Sequence, residues 1–138
     1  MVDALRSAHR IVHPDGCVID LHPTSDRPTV EVGGRVVGHV ASDEAPIRHA
    51  GAAIAIANAI DEGLFSVGRR ERFCFHTYGE SHTELADHIR TNWKSGSIDA
   101  QTLRRTHTAL RSAPGASIRV TERVVATRLN PVPEEPSQ

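Results

Sequence analysis

The sequence predicts an α/β fold, in which helices and strands alternate along the chain and build a layered sheet. Three observations carry this expectation. "VDALRSAHRIVH" has helical apolar spacing, "CVIDL" follows it as a nearly continuous apolar run, and Gly33 and Gly34 join two β-branched runs in the manner of a hairpin.

The first helix is expected over residues 2–13, with Leu5, Ala8 and Val12 on one face and Ile11 alongside. Pro14 and Gly16 end it, because proline disfavours helix in the residue before it and glycine accepts left-handed turns. "CVIDL" reads as a strand covered on both faces, and "HPTSDRP" as a polar loop. The hairpin runs from "TVEV" through the two glycines to "RVVGHV". A long helix starts at Asp43, buries Ile47, Ala50, Ile54, Ala57 and Ile60, and finds its C-cap at Gly63. "LFSVGRRERFCFHTY" reads as a strand interrupted near Gly68, with Phe73 and Phe75 on one face and Cys74, His76 and Tyr78 on the other. Ser81 and Glu84 form a capping box for a helix that buries Leu85, Ile89 and Trp93. Asp99 caps the last helix, with Ile98 and Leu103 as a hydrophobic staple. "SIRVTERVVATRL" is the final strand. One domain over residues 1–130 is expected, with 131–138 a polar, proline-rich, disordered tail.

The 138 residues carry sixteen basic and seventeen acidic side chains, a formal charge of −1, so there is no basic excess of the kind nucleic acid demands. Aromatic residues make up 4%, too few for a base-stacking platform. No apolar run reaches membrane-span length and no signal-peptide pattern opens the chain, which points to the cytoplasm and away from a membrane partner. Cys17 and Cys74 lack a CxxC partner and are expected as reduced thiols in the core.

"ALRSAHRIVHPDGCVIDLHP" resembles the helix–turn–strand segment late in class I S-adenosylmethionine-dependent methyltransferases, with HPDG where that family has a PGG turn. The downstream plan is similar over about residues 2–130: a helix, the strand "RRERFCFHTYG", a helical excursion and the closing strand "SIRVTERVVATRL". The resemblance implies an incomplete Rossmann-like methyltransferase sheet, mixed and flanked by helices, with a β-hairpin added. Its last strand would lie antiparallel between two predecessors. In that family a glycine-rich first strand-to-helix turn, and an acidic residue ending the second strand, grip the cofactor. Both precede the resembled segment, and the glycines of "EVGGRVVG" lie in a hairpin with no helix directly after it.

What the resemblance implies is therefore the C-terminal half of such an enzyme, binding no cofactor and performing no catalysis alone. S-adenosylmethionine would be reached only with a complementary half. The bare edge of "CVIDL" would pair in a homodimer or with that half. The alternatives are the substrate-binding half of a split methyltransferase and a small histidine-rich enzyme or metal-binding protein.

Nine histidines are the conspicuous compositional feature. His9 and His13 have the i, i+4 spacing of a metal pair, but no HExxH and no third ligand accompany them, so no metal site is expected. "HTYGESH" gathers His76, Tyr78, Glu80 and His82 at a strand end, either as acid–base groups or as a capped strand–helix junction. "DLHPTSD" puts Asp20, His22 and Asp26 at and beyond a strand's C-terminal end, the loop that faces substrate in the resembled family. Hence His22, His76 and Tyr78 are the catalytic candidates, and Asp20, His22, Asp26 and Tyr78 the substrate-binding ones. "RRER" at 69–72 reads as a solvated strand surface, and no G-x-S-x-G elbow supports a serine hydrolase.

Overall fold

Long runs of β-branched and aromatic residues become the two longest strands of the computed structural model, which describes residues 2–93 and 95–136, the side chain of Val2 apart. The elements run α1 (Val2–Ile11), β1 (Val18–Pro23), β2 (Thr29–Val32), β3 (Arg35–His39), β4 (Ala41–Ser42), α2 (Ala45–Asp61), β5 (Phe65–Gly79), α3 (His82–Asn92), β6 (Gly96–Ser97), α4 (Ala100–Ser112) and β7 (Ile118–Pro131). The fold is α/β, with a mostly antiparallel five-stranded sheet that does not close into a barrel, and a separate β4–β6 pair. Among the described residues no helix is long and apolar enough to cross a membrane.

The chain forms two compact units, one built from residues up to 24, 46–73 and 124 onward, the other from 25–45 and 74–123. In the first unit β1 lies antiparallel to β7, from Val18 opposite Leu129 to Pro23 opposite Val124. Val18 and Leu129 join Phe65 in a core closed by Leu5 of α1 and by Ala55, Ile56 and Ala59 of α2. On the other side of β7 runs β5, close enough that a Cβ built on Gly68 would stand 2.6 Å from the Asn130 amide nitrogen. Thus β7 lies between β1 and β5. Among the described strands β7 is the one partner of β1, so the opposite edge of β1 is unpaired.

Three expectations change in this unit. The strand expected to be covered on both faces is covered on one: Ile19 and Leu21 are 53% and 59% exposed, and Cys17, a free thiol, is exposed beside them. His22 and Pro23 extend the strand instead of opening the loop. Helix α2 buries Ala52, Ala55, Ile56 and Ala59, whereas Ile47 and Ile54, expected inside, are exposed. The helix is apolar on nearly every side, so periodicity selects no unique face, and the alanine side permits the closer approach. The left-handed Gly63, at φ 74°, ends it as expected.

In the second unit Gly33 and Gly34 both take positive φ, 59° and 79°, as a two-residue hairpin turn requires. β2 also pairs antiparallel with the first part of β7, Val32 opposite Ile118 and Thr29 opposite Thr121. Val30, Val32, Val40, Ile118 and Val120 pack against Leu85 and Ile89 of α3, with Trp93 half-buried at the border. Ser81 accepts a hydrogen bond from the Glu84 amide at 3.1 Å, and Glu84 answers by accepting from the Glu80 amide, one residue before the cap. Asp99 caps α4 by accepting from the Thr102 amide at 2.6 Å. The buried positions of α4 are Thr102 and Thr106, and the Thr106 hydroxyl donates to the Thr102 carbonyl at 2.7 Å.

The long strands also differ in detail from expectation. β5 is continuous through Gly68 and largely exposed, so Cys74 is a free surface thiol rather than a core one. Along β7 the buried positions are Ile118 and Val120, then Val125, Thr127 and Leu129, a change of parity within one strand. Asn130 and Pro131 belong to that strand.

Candidate functional sites

Two polar clusters stand out, one in each unit. In the first, strand alternation turns Asp20 and His22 toward the helix-covered face, where their side chains are 16% and 10% exposed. A carboxylate only accepts, so His22 donates its Nδ1 proton to Asp20 Oδ2, at 2.5 Å. In the tautomer that donates from Nδ1, the uncharged ring carries its lone pair on Nε2, the arrangement an oriented base needs. The His49 ring of α2 sits beside it, the centroids 5.2 Å apart. His49 Nδ1 and Thr127 Oγ1 are both buried without a hydrogen-bond partner among the described residues, and Thr127 stands directly across the ladder from Asp20.

The second cluster lines a cavity of about 780 Å³ that includes Asp26, Glu31, Cys74, His76, Arg119, Thr121 and Arg123. The Thr121 hydroxyl donates to Glu31 Oε2 at 2.7 Å and therefore accepts from His76 Nδ1, 3.0 Å away. Arg119 Nε donates to the same Glu31 oxygen at 2.8 Å. The Arg119 hydrogen bond, and then that of Thr121, hold the Glu31 carboxyl below the usual carboxylate range. His76 is thereby oriented through a hydroxyl to a carboxylate. Tyr78 lies beside it, ring centroids 6.3 Å apart, and is mostly exposed. Arg123 pairs with Asp26 at 3.4 Å.

Of the residues singled out in the sequence, Asp20 and His22 come together in the first unit, while Asp26 and His76 line one cavity in the second. Glu80 serves the α3 cap, and His82 packs its ring against His107 at 4.6 Å. His9 bonds the Val132 carbonyl oxygen at 3.1 Å, and His13 Nδ1 accepts from the Asp15 amide at 3.1 Å. Among the described residues no three His, Cys, Asp or Glu side chains gather as a metal centre. Sequence reasoning missed His49, Thr127, Glu31, Arg119 and Thr121. Glu31 and Arg119 are 88 positions apart and meet through strand register, for which no local motif exists. Compared with known proteins, the chain matches no family model, no curated protein and no solved structure.

Proposed function

We propose that the chain is a methyltransferase-like half-domain that transfers no methyl group alone and works by completing its sheet along β1 with a second copy of itself. The observation that carries this reading is the sheet end: β7 runs antiparallel to β1 with β5 on its other side, and the far edge of β1 has no strand among the described residues. That edge is also unblunted. Its one charged residue, Asp20, is turned inward onto His22, and Ile19 and Leu21 flank the edge on the open face. A two-fold axis pairs identical strands antiparallel and brings both sets of apolar side chains together. Ile47 and Ile54 on the outer side of α2 add exposed apolar surface suited to a partner.

That these residues transfer no methyl group alone is read from the glycines among the described residues. Gly33 and Gly34 are the paired glycines of a hairpin, not of a strand-to-helix turn that could cradle a ligand. Isothermal titration of the chain with S-adenosylmethionine should give no saturable heat; one-to-one binding would refute this part.

A second reading is favoured by the Asp20–His22 pair. An imidazole oriented by a carboxylate at the C-terminal end of β1 suits acid–base work better than scaffolding. A glycine-rich half from outside these 138 residues would then supply the cofactor site, with Asp20 and His22 lining the substrate side. Methyl transfer by the reconstituted pair, lost in His22→Ala, would support it.

A further inference from the structure

We infer that the groove between β3 and α4 binds the phosphate group of a small phosphorylated molecule. The inference does not rest on the methyltransferase reading. Gln101, Arg104, Arg105, Thr108 and Ser112 recur along α4 at the three- and four-residue intervals that make one helix face, and Arg35 meets them from the start of β3. The cavity they line is about 660 Å³, within the ~300–1,000 Å³ usual for small-molecule sites. No acidic side chain lines it, so three guanidinium groups face one space in a chain whose formal charge is −1.

Those three arginines form no ion pair among the described residues, whereas Arg90, Arg119 and Arg123 of the same unit each hold a carboxylate. Asp99, the acid that Arg104 and Arg105 influence, is already committed to the Thr102 amide. Asp99 does not line the groove, and like charges gathered there repel one another, a cost that a bound anion reduces. Guanidinium forks match phosphate oxygens two at a time, and three of them exceed what a single carboxylate can satisfy. Val36, Val37 and Ala109 give the groove an apolar side for an organic group. A nucleic acid would ask for a basic excess in the chain, which a formal charge of −1 does not supply.

Titration of the full chain with inorganic pyrophosphate and with ADP, at low ionic strength, tests this. Saturable binding of both at one site per chain is expected. Arg35→Ala and Arg104→Ala should each weaken it about tenfold or more, as loss of a charge-assisted hydrogen bond does. Arg104→Lys should recover part of the loss, and Arg90→Ala on α3 should change nothing. The replaced side chains are exposed, so circular dichroism should confirm an intact fold. No saturable binding, binding indifferent to Arg35→Ala and Arg104→Ala, or tighter binding of a short DNA duplex than of ADP would overturn the assignment.

Discussion

Asp20 and Thr127 face each other across the β1–β7 ladder, both turned to the side that α1 and α2 cover. The same alternation sends Leu21 outward on an unpaired edge strand. Leu21→Lys should therefore leave the fold intact, since exposed substitutions shift stability by roughly 0.5 kcal/mol or less. It should weaken self-association, because a lysine on an edge strand opposes pairing. Sedimentation velocity over a concentration series reads this, and an unchanged association constant would count against the β1 edge.

Thr121→Val removes the donor to Glu31 and the acceptor for His76 in one step. A cost of about 1 kcal/mol is expected from the lost hydrogen bond, with Arg119 still holding the carboxylate. The lowered Glu31 pKa means its stabilising contribution is complete above the ordinary carboxylate range and is lost as pH falls through the lowered value. In Thr121→Val that pKa should rise toward ordinary values, which carboxyl carbon NMR titration measures. No rise would show that Arg119 alone sets it.

Gly38 lies so close to α4 that an added Cβ would stand 2.4 Å from Thr102 Oγ1. Gly38→Ala should cost about 1–3 kcal/mol by overpacking. Combining it with Thr102→Ala should cost less than the sum of the two single changes, a coupling that urea unfolding of the four species can read. Additive costs would place the strain elsewhere.

Asp99 holds the N-terminus of α4 through the Thr102 amide, and that hydrogen bond keeps its carboxyl below the ordinary range. Asp99→Ala should destabilise the chain at neutral pH, because the Thr102 amide loses its capping partner. The gap to the unaltered chain should narrow as pH falls through the lowered Asp99 value, because the contribution exists only while the carboxylate is ionised. A gap independent of pH would contradict a charged cap.

Local chemistry was legible in the sequence. The Gly33–Gly34 turn, the Ser81 and Asp99 caps and the Gly63 helix end each depend on residues within a few positions of one another. What failed depended on long-range placement. The buried side of α2 was misread because its isoleucines and alanines ring the helix. Cys17 and Cys74 lie in apolar stretches that look like core, and only the sheet order reveals how little covers them. Of the first polar cluster, Asp20 and His22 are legible as neighbours at a strand end, although the sequence puts His22 in the loop and the structure in the strand, whereas His49 arrives from a helix 27 positions after His22.

A β1 edge that no described strand pairs is the premise behind the proposed role, and light scattering on the eluting chain at micromolar concentration interrogates it most directly. A particle of twice the 15.0 kDa chain mass is expected. A folded species of single-chain mass, with native circular dichroism, would contradict self-pairing along β1.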